Sequence, residues 1–126
     1  MDASKRVRIG FRSAFPSIES ARQEIRRGVA HIQDGVIGEE GVFLPSSSVW
    51  YPQEADGLAA FDIKVRLPAG YTSVSEGERM RAKFDGAAIV ERWRSTRPID
   101  GADLVAARFI FEKVRHGSID IYTFFL

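Results

Sequence analysis

The sequence predicts a mainly-β protein, an antiparallel β-sandwich or saddle with one short helix near the amino terminus. Short segments of alternating polarity are separated by turn signals, which is typical of antiparallel sheets. The helices that a parallel α/β sheet needs between its strands are missing. Six residue pairs end in a glycine that suits tight turns: Asp34-Gly35, Asp56-Gly57, Glu76-Gly77, Asp85-Gly86, Asp100-Gly101 and His116-Gly117.

Two elements are predicted before the first of these turns. Residues Lys5 to Phe11 alternate between apolar and charged, which indicates a strand with one wet face. A helix follows, because apolar residues recur at helical spacing from Ile18 to Ile32 while arginines occupy the outer face. Pro16-Ser17 suits its start and Asp34-Gly35 its end.

Beyond Gly35 the pattern changes to strands. The predicted strands are Phe61–Leu67, Ser73–Ser75, Ala88–Ser95, Leu104–Val114 and Ser118–Phe125. In the first of them the apolar face is strict and the other face carries Asp62, Lys64 and Arg66, so one face belongs to the core.

Length and composition predict a single β-rich domain over residues 1–126. The chain is 44% hydrophobic and 11% aromatic, which supports a core of its own at this length. There is no cysteine, which excludes disulfides, thiol catalysis and cysteine-based zinc sites. The last three residues, Phe124, Phe125 and Leu126, form an apolar cluster, whereas termini usually fray into polar residues. We expect them to be a cut edge or a docking interface, with self-association through an edge strand.

Charge and hydropathy bear on partners. A formal net charge of +1 gives no global field for nucleic acid or an anionic membrane, and we expect no nucleic-acid partner. No apolar run approaches the ~20 residues that span a bilayer, and no signal peptide is recognisable. We therefore expect a soluble chain without direct membrane insertion, in a compartment that the sequence leaves open.

No catalytic or metal-binding motif is recognisable. The two histidines, His31 and His116, lack the H-E-x-x-H spacing that places two nitrogens on one zinc ion. The serine run Ser46–Ser48 has no nucleophile elbow around it. The spacing of Gly35, Gly38 and Gly41 differs from dinucleotide and phosphate loops. The residues predict no enzyme, no metal and no cofactor.

Three residues are candidates for ligand binding. Trp50 and Tyr51 form an aromatic pair that could stack a sugar or a peptide, although aromatics at a strand entrance more often belong to the core. Glu40, in the pair Glu39-Glu40, is an exposed acidic residue by default, and acid–base catalysis would require a cleft around it.

The order of several segments resembles a known family. In chain order the segments are Gly38–Leu44, Trp50-Tyr51-Pro52, Phe61–Pro68, Val74–Gly77 and Leu104–Phe109. This succession is similar to the amino-terminal β-domain of zinc aminopeptidases of the aminopeptidase N type, in particular of divergent bacterial members. The resemblance covers the chain from about the predicted helix to the carboxyl end.

The resemblance implies a non-catalytic accessory domain. In that family the β-domain lies beside a thermolysin-like domain that holds the H-E-x-x-H zinc site, so zinc would occur only in a separate catalytic domain. The partner would be the remainder of the parent protein, a catalytic or membrane-linked portion whose access the domain shapes. Many members present a glutamine to the substrate's amino terminus; the comparable stretch here has Glu39 and Glu40, which assigns that role to Glu40. The P-C-x-D-x-P continuation is missing after Pro52.

Two alternatives belong to other classes. One is a free-standing β-sandwich module that binds peptide or carbohydrate through Trp50 and Tyr51; it predicts exposed aromatics and a self-contained carboxyl end. An accessory domain predicts buried aromatics and an exposed apolar edge. The other alternative, a small hydrolase using Glu39 or Glu40, requires a cleft.

Overall fold

The computed structural model describes residues 35–53 and 57–126, together with Gly10 and Phe15. The predicted strand over Lys5–Phe11 and the predicted helix over Ile18–Ile32 lie outside these residues. The described part is mainly β, and its strand pairs are all antiparallel, as the sequence predicts. The strands are β1 Val36–Ile37, β2 Gly41–Leu44, β3 Asp62–Pro68, β4 Thr72–Ser75, β5 Glu78–Arg79, β6 Lys83–Asp85, β7 Ala88–Arg94, β8 Leu104–Ala107, β9 Ile110–His116 and β10 Ile119–Phe125.

The first sheet has the strand order β1-β2-β8-β4. Its inner strand β8 pairs Ala107 with both Gly41 of β2 and Thr72 of β4. Ala106 and Ala107 are buried, and their small side chains let neighbouring layers approach closely. A short 3-10 turn, Ser46–Ser48, follows β2 and leads into the aromatic segment.

The second sheet is built around β7, which pairs with β3 on one side and with β5 and β6 on the other. The register places Ile63 opposite Trp93, and Leu67 is buried. Asp62, Lys64 and Arg66 are exposed, so the alternation predicted for this strand is confirmed.

The two sheets meet through β4 and β7 in a sandwich-like arrangement. Ser73 of β4 and Glu91 of β7 are fully buried, and Trp93 is buried beside them. The Trp93 indole N–H donates to Ser73 Oγ at 2.9 Å. A polar cluster therefore lies between the sheets.

Strands β9 and β10 form a separate two-stranded hairpin. The prediction of one strand over Leu104–Val114 is wrong, because the chain leaves the first sheet at Arg108 and Phe109. The Arg108 guanidinium lies 5.3 Å from the centre of the Tyr71 ring, and Phe109 packs edge-on against Phe124 at 5.8 Å. These contacts hold a bend between β8 and β9.

Most of the predicted glycine turns are confirmed where they are described. Gly77, Gly86 and Gly117 adopt positive φ angles of 95°, 61° and 60°. Gly101 is different, because its φ is not positive and it lies against Ser46; a Cβ added to Gly101 would be 2.7 Å from the Ser46 Cβ. The predicted Asp100-Gly101 turn is therefore a close approach of two loops.

Candidate interaction site

The aromatic pair Trp50-Tyr51 holds the loop at Ala102 in place through hydrogen bonds to its backbone. The Trp50 indole N–H donates to the Ala102 carbonyl at 2.9 Å, and the Tyr51 hydroxyl accepts from the Ala102 N–H at 2.9 Å. Ala102 is fully buried, so these side chains satisfy backbone groups that water does not reach. Trp50 and Tyr51 are themselves half-buried.

The rings of this pair also pack on one another and on Phe61, the residue before β3. Trp50 meets Tyr51 edge-on with ring centres 4.8 Å apart, and Tyr51 meets Phe61 edge-on at 5.2 Å. Each edge-to-face contact of this kind stabilises the folded state by about 1 kcal/mol, in addition to the effect of the apolar area that it buries. The pair is thus built into the domain.

A small cavity of about 210 Å³ lies beside Tyr51. It is lined by Tyr51, Pro52, Gln53, Gly57, Leu58, Ala59, Phe61 and Asp100. Small-molecule sites usually enclose about 300–1,000 Å³. This cavity is smaller than that range, and the Gln53 amide that lines it already donates to the Ser46 carbonyl at 2.7 Å.

Glu40 lies at the tip of the turn between β1 and β2. Gly38 and Gly41 close this turn with reciprocal backbone hydrogen bonds of 2.9 and 3.2 Å, and Glu40 is exposed. Glu40 is not part of the cavity lining beside Tyr51. The structure therefore does not bring the three predicted binding residues into one cleft. Within residues 35–53 and 57–126 no three acidic or histidine side chains are grouped to hold a metal ion.

The β9–β10 hairpin has one apolar face. Its side chains are between 48% and 71% exposed. They are Ile110, Val114, Ile119, Ile121 and Phe125. We call this set the hairpin apolar face. Only the central pair of Glu112 with Thr123 and the tip residue His116 interrupt it.

Side chains on the opposite face of the hairpin contact one another, although Phe111 and Tyr122 remain 40% and 38% exposed. Phe111 and Phe124 pack with ring centres 5.8 Å apart. Lys113 forms a 2.8 Å ion pair with Asp120 and lies 5.3 Å from the centre of the Tyr122 ring. The hydrogen bond between Lys113 and Asp120 raises the pKa of Lys113 and lowers the pKa of Asp120.

A buried polar network fixes the root of the hairpin. The Arg79 guanidinium lies 4.8 Å from the centre of the Phe111 ring and forms a 2.5 Å ion pair with Glu91. Glu91 accepts from the Ser73 backbone N–H at 2.6 Å and from the Ser73 hydroxyl at 2.5 Å. Sequence reasoning missed this network; its signal is a glutamate at an inward position of β7, between Ile89 and Trp93.

The predicted interface residues occupy the carboxyl end of β10. Phe124 is half-buried against Phe109 and Phe111, Phe125 is on the hairpin apolar face, and Leu126 is 93% exposed. Within the described strands, neither outer edge of the hairpin has a partner. An exposed apolar hairpin with open edges is thus the strongest candidate for an interaction site.

Comparison of the chain with known protein families, curated proteins and solved structures yields no match. In the described segments no helix is long and apolar enough to cross a membrane.

Proposed function

We propose that this chain is a non-catalytic accessory β-domain of a peptidase-like protein, which packs against the catalytic or membrane-linked portion and shapes access to it. The hairpin apolar face carries the proposal. A two-stranded hairpin is marginal in water by itself, and this one presents five large apolar side chains to solvent. Packing of the rest of the parent protein against this face would remove these side chains from water.

The aromatic pair has a structural role in this proposal. Trp50 and Tyr51 hold the loop at Ala102 in place, which leaves their polar atoms engaged. The alternative, a free-standing module that binds peptide or carbohydrate through these rings, receives less support because both rings are half-buried. Glu40 lies outside the cavity beside Tyr51, so a role at the substrate's amino terminus would require a cleft completed by the catalytic portion.

The test compares amide hydrogen exchange at the hairpin in two samples. One is the isolated 126-residue chain, and the other is the polypeptide that the native reading frame encodes. We expect fast exchange at the outer edges of β9 and β10 in the isolated chain and slow exchange in the encoded polypeptide. Ile121→Asp should abolish the added protection, whereas Phe84→Asp, at an exposed residue of β6, should leave it unchanged.

Three outcomes count against the proposal. Equal exchange in the two samples would remove the docking role of the hairpin. A reading frame without an H-E-x-x-H segment would remove the peptidase assignment, and one that stops at Leu126 would favour the free-standing module. Hydrolysis of aminoacyl substrates by the isolated chain, lost in Glu40→Gln, would show catalysis within it.

A further inference from the structure

We infer that the outer face of the second sheet, with the groove beside β6, binds the anionic headgroups of a phospholipid surface. The inference stands on residues separate from the hairpin apolar face. It concerns peripheral contact with a membrane through charge.

The strand register gathers cations on this face. Lys64 of β3 lies directly opposite Arg92 of β7, and Arg66 lies opposite Val90, which in turn faces Lys83 of β6. Like charges in directly opposed positions are unfavourable in a sheet unless anions offset them. Because Asp62 already pairs with Arg92, the uncompensated charge of this opposed pair lies on Lys64.

Acidic side chains of the chain offset only part of this charge. Asp62 accepts from both Arg92 and Arg94, and Asp85 forms a 3.4 Å ion pair with Arg66. Lys64, Arg81 and Lys83 have no ion pair within the described residues. These three cations are exposed and available to an external anion.

The same three cations line one groove of about 620 Å³. Its lining consists of Lys64, Met80, Arg81, Lys83, Phe84, Asp85, Val90 and Arg92. Phe84 also lines this groove and is 80% exposed, but its register opposite Ile89 places it on the other face of the sheet from Lys83. Clustered lysine and arginine side chains are attracted to the anionic headgroups of a membrane surface.

Charge is segregated between this face and the rest of the chain. The face and groove carry six cations, Lys64, Arg66, Arg81, Lys83, Arg92 and Arg94, against three carboxylates, Asp62, Glu78 and Asp85. The whole chain has a net charge of only +1, so the remainder is net negative. Whole-chain charge conceals the local field, and that field orients the domain toward an anionic surface.

The shape of the face favours a lipid surface over other polyanions. The charged positions of β3 run from Asp62 to Arg66, so charge on this face extends over about 13 Å along the strands. Its cations are spread over three strands and a loop, which suits a plane of phosphates better than a single track. Single-stranded nucleic acid is usually held by successive stacked aromatics, and Phe84 is the one aromatic residue in the groove lining.

The test is co-sedimentation of the 126-residue chain with phosphatidylcholine vesicles that contain or lack phosphatidylserine. We expect binding only with phosphatidylserine, weakening as salt is raised. Each neutralisation, Lys64→Gln, Arg81→Gln or Lys83→Gln, should lower the partition coefficient about five-fold, since a cation near such a surface contributes about 1 kcal/mol. The triple variant should lose about a hundred-fold.

Two control variants distinguish binding at this groove from a general effect of net charge and from binding through the hairpin. Arg97→Gln removes an exposed cation outside the groove, and Ile121→Asp alters the hairpin apolar face; both should bind vesicles like the unchanged chain. Circular dichroism and thermal melting confirm that each variant is folded. The inference is overturned if the unchanged chain ignores phosphatidylserine, or if Arg97→Gln loses as much as Lys64→Gln. It is also overturned if polyglutamate or an oligonucleotide, but not vesicles, binds with the same sensitivity to the three neutralisations.

Discussion

Among the buried residues, Glu91 is the one on which the packing of the two sheets depends most directly. It is fully buried, where an isolated charge would be very unfavourable. The Arg79 ion pair and two hydrogen bonds from Ser73 compensate it. Because Arg79 also packs on Phe111, the same carboxylate links the sandwich to the hairpin.

We expect Glu91→Gln to lower the free energy of unfolding by about 3–5 kcal/mol, since removing one member of a buried pair leaves the other uncompensated. Urea unfolding measures this loss. Asp62→Asn should cost far less, because Asp62 and its partners Arg92 and Arg94 are exposed and solvent screens their interaction. If the two variants lose the same stability, the network around Glu91 does not support the packing of the two sheets.

A second prediction concerns the ionisation of Asp62. Its hydrogen bond from Arg92, followed by that from Arg94, lowers the pKa of this carboxyl from 3.8 to about 2. Carbon-detected NMR titration should find that value, with a larger rise in Arg92→Gln than in Arg94→Gln. Because the folded-state pKa is depressed, the ionised group favours the folded state above pH 3.8, and this contribution disappears as the pH falls through about 2. An ordinary pKa in the unchanged chain would contradict the pairing.

At the scale of elements, side-chain alternation predicted the strands that have one dry and one wet face. β3, with Leu67 inside and Lys64 outside, is such a strand. Strands of two or three residues, such as β1 and β6, are too short to show a period. The break between β8 and β9 was also missed, because it depends on the contact of Arg108 with Tyr71, which is distant in sequence.

The two glycine turns on either side of β4 offer a matched stability prediction. Gly70 and Gly77 have φ angles of 89° and 95°, so alanine is strained to a similar degree at both. A Cβ at Gly70 meets open space, whereas one at Gly77 would be 2.3 Å from the Arg94 carbonyl oxygen. We expect Gly70→Ala to cost about 1 kcal/mol and Gly77→Ala clearly more. If the two variants lower the melting temperature equally, the loss of stability comes from the positive φ alone and not from the clash with Arg94.

At the scale of the whole molecule, the two proposed surfaces differ in chemistry. The hairpin apolar face suits a protein cover, and the cationic face of the second sheet suits an anionic surface. Sequence reasoning singled out Phe125 and Leu126, which the structure leaves exposed. It missed the cationic face, because the register that places Lys64 opposite Arg92 and brings Lys83 close depends on pairing between strands.

The size of the hairpin limits how strongly two copies of the chain can associate. Two strands of seven residues present about 220 Å² per face, from a rise of about 3.3 Å per residue and a strand spacing of about 4.8 Å. A stable interface needs about 800 Å² from each partner. The hairpin alone therefore supports only weak pairing of two copies, whereas a larger partner that covers neighbouring surfaces as well could bind stably.

We accordingly expect the average mass of the isolated chain, measured by sedimentation, to rise gradually with concentration and without a stable dimer. Removing Phe124 to Leu126 should reduce this association, because it deletes part of the β10 edge and of the hairpin apolar face. Ile121→Asp should reduce it without shortening the strand, and Phe84→Ser should not. A mass distribution unchanged by both hairpin variants would exclude this edge as the contact. A tight dimer would require an interface far larger than the hairpin, elsewhere on the domain.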